Sequence, residues 1–252
     1  MLSAAGPLEI TRWFSLAYSM SATWPPSGAV ITIPFSVDQF LENLAQYNEA
    51  VWPMQLVLYA AALACLGLLF TTRAWASRMI SLLLTGLWIW MAVAYHLKFF
   101  ALINVAAWWF GILFALGATF FDWYGVVNDR LRFRPASGPW GVTGAVLVIF
   151  ALVIYPALSS TLGHRYPAIP TFGLPCPTTI FTIGILLFAQ APAPRAVFVI
   201  PVLWSAIGSL AALELGMTQD LALSVAGIIG LVAALRVRGP RIWLCEQMPH
   251  VR

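Results

Sequence analysis

Charged side chains are scarce in this sequence. Only 9% of its 252 residues are charged and 61% are hydrophobic, whereas a typical soluble domain has about 25% charged residues. So few charges cannot cover a water-exposed surface, and most of the surface must therefore face lipid. The formal net charge of +4 does not indicate nucleic-acid binding, because the basic residues stand in short clusters between apolar runs. The lipid bilayer is the predicted partner.

Cysteine, lysine and metal-binding motifs are also rare. Cys65, Cys176 and Cys245 form an odd, widely spaced set, which is not a disulfide framework. The single lysine, Lys98, lies in a predicted loop, so a retinal Schiff base in a seventh span is excluded. HExxH, HxxxH, CxxC and CxxCH are all absent, so no local motif indicates a metal or haem site.

Long apolar runs dominate what is present. A membrane-spanning helix needs about 20 mainly apolar residues. Seven segments meet or approach that length, and the fifth and seventh are short. The sequence therefore predicts an all-α polytopic membrane protein. The predicted spans are Met54–Thr72, Met79–His96, Val105–Val127, Trp140–Ser159, Cys176–Gln190, Val197–Leu215 and Leu221–Leu235.

The positions of the basic residues orient these spans. If the loop after the first span is cytoplasmic, only Arg12, Lys98 and Arg165 of the 13 basic residues lie outside. Each of the four cytoplasmic segments then contains arginine, as the positive-inside rule requires. We expect an outer N-terminus and a cytoplasmic C-terminus in a bacterial inner membrane.

A helix is predicted before the first span. Between Ser36 and Val51, apolar residues recur on one stripe and acidic residues lie off it, as in an amphipathic helix. Ser36 followed by Gln39 is the pattern of a capping box. We expect this helix to lie at the membrane surface.

The chain divides into three predicted regions. Residues 1–34 contain several helix-breaking prolines and are expected to be a weakly structured extension. A second interpretation is that translation begins at Met20 or later. Residues 35–236 form the predicted seven-span domain with its leading helix, and residues 237–252 form a basic cytoplasmic tail.

Unusual polar residues collect at the predicted outer ends of the spans. Polar groups at membrane depth are costly and tend to mark a pathway or a binding site. One interpretation is an outward-facing pocket for a small solute or ion, and the other is a set of ordinary loop residues. The candidate pocket residues are Glu49, His96, Asn104, His164, Arg165, Tyr166, Cys176, Thr178 and Thr179.

Some of these residues could also hold a metal or a haem. Nitrogen and sulfur ligands suit zinc or copper, and two histidines on facing spans could hold a haem. The candidates for metal binding are Glu49, His96, His164 and Cys176.

The run from Gly173 to Thr179 predicts a helix start at the fifth span. Pro177 suits the first turn of a helix, with Cys176 or Pro175 just before it. Free N–H groups and the helix dipole at such a start can hold an anion or stabilise a thiolate. The alternative is an inert, apolar setting for Cys176.

Several stretches resemble an uncharacterised family of bacterial multi-pass membrane proteins whose members are sometimes labelled permeases. The resemblance covers residues 34–235, is most specific from His164 to Thr179, and implies an inner-membrane protein of unassigned activity. The stretches are Tyr47–Pro53, Tyr95–His96, Ile103–Asn104, Gly163–Pro167 and Thr171–Thr179.

Three functional hypotheses remain at this point. The first is a small permease or solute-binding membrane protein with an outward-facing polar pocket. The second is a metal-dependent membrane enzyme with a site at the outer face. The third is a membrane subunit that binds haem or anchors a partner.

Overall fold

The computed structural model describes residues 33–190 and 193–236. These residues form nine α-helices and contain no strand, so the predicted all-α class is confirmed for them. Most of the expected extension, residues 1–32, and the expected basic tail, residues 237–252, lie outside the described residues. The helices are α1 (Val37–Ala50), α2 (Met54–Leu69), α3 (Ala76–Trp90), α4 (Ala107–Phe121), α5 (Pro139–Ile149), α6 (Tyr155–Thr161), α7 (Pro175–Leu186), α8 (Ala196–Leu215) and α9 (Leu221–Arg236).

Helix α1 begins where its sequence predicts. The Ser36 hydroxyl accepts a hydrogen bond from the Gln39 backbone N–H at 3.2 Å, and the Gln39 side chain accepts one from Ser36 N–H at 2.8 Å. This reciprocal pair satisfies two N–H groups that a helix start leaves free, and the predicted capping box is confirmed. Helix α1 then meets α2 at a bend of 85°.

Five described segments are long and apolar enough to cross a membrane, and a sixth would result if the bent pair α1–α2 counted as one span. Taken alone, α2 has 16 residues, and the shorter apolar helix α7 has 12. The described part of the chain is thus compatible with an integral membrane protein. The five segments are Ala76–Leu102, Ala107–Val127, Pro139–Thr161, Ala196–Leu215 and Thr218–Arg236.

Large apolar side chains are exposed on the outside of these helices. Val105 is 81% exposed and Trp109 is 72% exposed, both at the start of α4. Ile228, in the middle of α9, is 64% exposed. Monomeric soluble proteins rarely expose apolar surface continuously along several helices, whereas a surface that faces lipid does.

Three long helices are widened by π-helical turns. These turns follow α3 at Met91–Leu97, follow α4 at Asp122–Val127, and join α5 to α6 at Phe150–Ile154. A π turn inserts an extra residue and rotates the side chains that follow it. Tyr95 and His96 lie within the first turn, and Tyr155 directly follows the third.

Helix α7 is the buried centre of the structure. Eleven of its 12 residues are buried. It meets α5 where Gly184 faces Gly144, and a Cβ added at either glycine would lie within about 3 Å of the other's carbonyl oxygen. Small residues of this kind let two membrane helices approach closely. On another side of α7, the Trp88 indole of α3 donates a hydrogen bond to the Thr182 hydroxyl at 3.0 Å.

Non-helical backbone continues from both ends of α7. The segment before it contains buried Ile169 and Phe172 and is held by hydrogen bonds from α1. After it, the Arg134 N–H donates to the Phe188 carbonyl at 3.1 Å and the Gln190 N–H donates to the Arg132 carbonyl at 2.7 Å. Both extensions are thus anchored to other parts of the structure.

Candidate functional site

Four polar side chains from separate segments lie together beside the start of α7. The Tyr155 hydroxyl donates a hydrogen bond to the Asp220 carboxyl group. The Cys176 thiol lies beside the same carboxyl group and interacts with it. Tyr95 lies within electrostatic range of both Cys176 and Asp220. We call Tyr95, Tyr155, Cys176 and Asp220 the central cluster.

Three members of the central cluster are buried and the fourth is half-buried. Tyr155 is 1% exposed, Tyr95 is 3% exposed and Asp220 is 6% exposed, while Cys176 is half-buried. Within the described residues Asp220 forms no ion pair with a cation. A buried carboxyl group without a cation depends on hydrogen-bond donors, and the Tyr155 hydroxyl supplies one.

Local backbone geometry positions these groups. Asp220 ends the 3₁₀ turn Thr218–Asp220 that leads into α9. Its carboxyl group accepts a hydrogen bond from Tyr155, at the start of α6, and not from a backbone N–H of its own helix. The carboxyl group therefore links two segments and does not serve as a helix cap.

Asn48 anchors the loop that precedes α7. Its side-chain N–H₂ donates to the carbonyl groups of Pro167 and Ile169, each at 2.7 Å. Its side-chain oxygen accepts from the Thr171 hydroxyl at 2.8 Å. One buried amide thus fixes three positions of the loop, and the Tyr166 hydroxyl adds a contact of 3.3 Å to the Asn48 carbonyl.

Gly173 and Thr178 shape the entry into α7. Gly173 has a φ of +100°, a conformation that side chains disfavour. A Cβ at this position would lie 2.3 Å from the Leu58 side chain. The Gly173 N–H donates to the Thr178 hydroxyl at 3.0 Å, so Thr178 stabilises the turn from inside the structure.

The start of α7 differs from the expected anion-binding helix end. The helix begins at Pro175, with Leu174 before it and no side-chain cap, slightly earlier than the sequence indicates. Pro175 and Pro177 carry no N–H, so Cys176 supplies the only backbone donor among the first three residues. The group beside its thiol is the acidic Asp220. Arg165, another candidate pocket residue, is exposed.

His96 and Thr179 are fully buried and have no hydrogen-bond partner within the described residues. The His96 ring is surrounded by aromatic rings, with centroid distances of 4.6 Å to Phe114 and 5.2 Å to Trp204. It also contacts the ring of Tyr95 at 5.3 Å. His96 therefore lies next to the central cluster but inside an aromatic enclosure.

The remaining candidates lie farther out. Glu49 and Arg165 are exposed and His164 is half-buried. None of these three side chains makes a hydrogen bond or an ion pair with the described residues. The Asn104 side chain accepts from the Ala106 N–H at 3.0 Å and thus supports the start of α4. Tyr166 is 55% exposed and contacts Asn48 as described above.

The structure does not assemble the four metal candidates. Across residues 33–190 and 193–236, no three His, Cys, Asp or Glu side chains are close enough to hold a metal ion. His96 is enclosed by rings, whereas Glu49 is exposed.

The sequence-based candidates include neither Asp220 nor Tyr155. Asp220 is one of nine acidic residues in the chain and directly precedes an apolar run. Tyr155 is a hydroxyl group inside a predicted span, where it must find an acceptor. These signals mark a donor and an acceptor that each need a partner, but the sequence does not show that they pair with each other.

Comparison with known proteins gives one result. The model of a family of unknown function, DUF6064, matches residues 37–240. The chain belongs to this family. The match includes all nine helices and every residue of the central cluster.

The expected resemblance to an uncharacterised family is therefore confirmed. No curated protein and no solved structure matches the chain. Because DUF6064 has no assigned function, membership transfers no activity, and the function has to be argued from the site.

Proposed function

We propose that this DUF6064 protein is a seven-span protein of the bacterial inner membrane that binds a small solute at its outer side, as a permease or a solute-binding membrane protein. The solute contacts the central cluster and carries a positive charge or a hydrogen-bond donor. The observation that carries the proposal is the buried Asp220 carboxyl group, which has a tyrosine donor and no cation among the described residues.

The proposed seven spans are the five long segments together with the shorter helices α2 and α7. A 12-residue helix is about 18 Å long, shorter than the roughly 30 Å of a bilayer core. Non-helical backbone can complete a crossing only where it is buried in protein. The backbone before α7 meets this condition, because buried Ile169 is held by Asn48. A half-length helix with an irregular extension is also typical of transporter binding sites.

Orientation follows from the arginines. Arg73 precedes α3 and Arg78 lies in its first turn, whereas Tyr95 follows the other end of that helix. Arg132 and Arg134 bond to the backbone after α7, whereas Cys176 lies at the start of α7. The positive-inside rule assigns these arginines to the cytoplasm. The central cluster then lies toward the outer side.

The chemistry of the central cluster favours a cation or a donor as its ligand. A carboxylate offers only acceptor oxygens, and one Asp220 oxygen already accepts from Tyr155. A solute amine, a metal cation or a proton would satisfy the rest. Intramembrane acidic residues mark substrate and ion pathways in many transporters. An anionic solute would be repelled by the same group.

The metal-enzyme and haem hypotheses have less support. Within the described residues no three metal-ligating side chains converge. His96 is enclosed by aromatic rings, and no other histidine of the described residues contacts it. We therefore do not develop these two hypotheses further.

Thermal unfolding of the purified protein in detergent tests the proposal. The panel contains alkali cations, small amines, neutral polyols and small carboxylates. Asp220→Asn removes the buried charge, and Glu214→Gln is the matched control, because Glu214 is exposed six positions earlier in the chain.

We expect at least one cation or amine to raise the Tm of the wild type and of Glu214→Gln by about 5 °C or more at saturating concentration. The same ligand should leave the Tm of Asp220→Asn unchanged. A carboxylate as the only active class, or an equal shift in Asp220→Asn, would contradict the proposal. Uptake of the active ligand into proteoliposomes then separates a permease from a binding protein.

A further inference from the structure

A basic groove lies at the opposite end of the structure from the central cluster. It has a volume of about 250 Å³ and is formed by the α2–α3 connection, the segment after α4 and the residue that ends the α7 extension. The charges on its walls belong to three arginines. The lining residues are Thr71, Arg73, Ala74, Ser77, Arg132, Phe133, Arg134 and Gln190.

In the segment after α4, buried residues alternate with arginines that face the groove. Leu131 and Phe133 are buried at 0% and 3% exposure, so Arg132 and Arg134 point the other way, as expected in extended backbone. Two hydrogen bonds hold the segment in place. The Phe133 N–H donates to the Ser77 hydroxyl at 3.0 Å, and the Arg134 N–H donates to the Phe188 carbonyl at 3.1 Å.

Arg132 is fixed in position before any ligand binds. Its guanidinium pairs with Asp129 and donates to the Ala74 carbonyl at 3.3 Å. Asp129 also pairs with Arg78 at 3.3 Å, so its charge is already shared by two cations. A guanidinium held in this way loses little freedom when it binds an anion.

Arg73 and Arg134 have no acidic partner within the described residues. Their charges are therefore uncompensated at a groove that also offers the Thr71 hydroxyl and the Gln190 amide. Positive-inside topology explains why arginines occur at this end. This topology does not explain why three arginines line one groove together with neutral hydrogen-bonding groups.

We propose that this groove binds a phosphate group, with Arg73 and Arg134 as its principal charged ligands and Arg132 as a fixed third donor. Arginine side chains match phosphate oxygens through paired N–H donors. The phosphate can belong to an anionic lipid headgroup, because basic pockets at the cytoplasmic surface bind such headgroups. It can also belong to a free phosphate ion.

Binding of phosphatidylglycerol, phosphatidylcholine and inorganic phosphate to the full-length protein in detergent tests the proposal. The test variant is Arg73→Gln with Arg134→Gln. The matched control is Arg130→Gln with Arg236→Gln, because both residues are exposed, lie outside the groove lining and belong to the same proposed cytoplasmic face. Both double variants lose two positive charges.

We expect the wild type to bind phosphatidylglycerol more tightly than phosphatidylcholine. The test variant should lose about tenfold or more of that affinity, while the control stays within about twofold. Inorganic phosphate that competes with the lipid at similar concentrations identifies the free ion as a ligand of the same groove. Failure of inorganic phosphate to compete identifies the lipid headgroup. Both results support the phosphate site.

Equal affinity in the wild type and the test variant would overturn the proposal, and so would an equal loss in the control. If the test variant does not fold, Gln190→Glu provides a second test, because it adds a negative charge to the groove and keeps every arginine. It should weaken phosphatidylglycerol binding, and unchanged binding would again overturn the proposal.

Discussion

Tyr155 and Asp220 are 65 positions apart in sequence, and the hydroxyl of the first donates a hydrogen bond to the carboxyl group of the second. Tyr155 follows a π turn and Asp220 ends a 3₁₀ turn, so irregular helix geometry brings both groups to the same place. Cys176 lies beside them at the start of the buried helix α7. The proposed binding site depends on this relationship.

The first prediction concerns the anchoring of the loop before α7. Asn48→Ala leaves the part-buried Pro167 carbonyl, the buried Ile169 carbonyl and the Thr171 hydroxyl without their partner, at a cost of about 2 to 4 kcal/mol. We expect the Tm in detergent to fall by roughly 5–10 °C. Gln46→Ala, which removes an exposed side chain whose one hydrogen bond among the described residues is to Glu42, should change the Tm by about 1 °C or less. Equal effects would contradict the assigned role of Asn48.

The second prediction concerns Gly173. Gly173→Ala places a Cβ in a backbone conformation with φ of +100° and 2.3 Å from Leu58, so the free energy of unfolding should fall by at least about 1 kcal/mol. Gly86→Ala on α3 meets no atom within 4 Å and should be neutral or slightly stabilising. Thermal unfolding in detergent measures both. Leu58→Ala is itself destabilising because Leu58 is buried, but the clash makes the combined loss of Gly173→Ala with Leu58→Ala smaller than the sum of the two single losses.

Features set by residues close together in the sequence could be predicted, whereas features formed by residues far apart in the sequence could not. The capping box of α1 was predictable, because Ser36 and Gln39 are three positions apart and their preference is local. The helix start near Pro175 was predictable for the same reason. The central cluster was not, because Tyr155, Cys176 and Asp220 meet only after three segments have packed. The π turns that orient Tyr95 and Tyr155 have no comparable sequence signal.

The third prediction concerns the contact between α3 and α7. Thr182→Val preserves the shape of the side chain but leaves the buried Trp88 N–H without an acceptor, at a cost of about 1–3 kcal/mol. Thr119→Val is the control, because Thr119 is exposed and bonds only to the Ala115 carbonyl of its own helix. It should cost no more than about 0.5 kcal/mol. Chemical unfolding in detergent distinguishes the two, and indistinguishable variants would contradict the prediction.

The fourth prediction concerns orientation. Reporter fusions after Ser137 and at the C-terminus should show a cytoplasmic phenotype, and a fusion at His164 should show an external one. The reason is the arrangement of arginines, which the positive-inside rule assigns to the cytoplasm. An external phenotype at Ser137 or at the C-terminus would reverse the proposed sidedness of both sites.

The fifth prediction concerns access to the central cluster. The main claim of the proposal is that solutes enter the cluster from the outer side of the membrane, and this experiment tests that claim most directly. Intact spheroplasts and inside-out vesicles are treated with a membrane-impermeant maleimide, and the modified cysteine is identified by peptide mass spectrometry. Cys65 is an internal control, because it is fully buried, and Cys245 is expected on the cytoplasmic side. We predict modification of Cys176 in spheroplasts, with Cys245 modified only in the vesicles. Modification of Cys176 in inside-out vesicles but not in spheroplasts would contradict the claim.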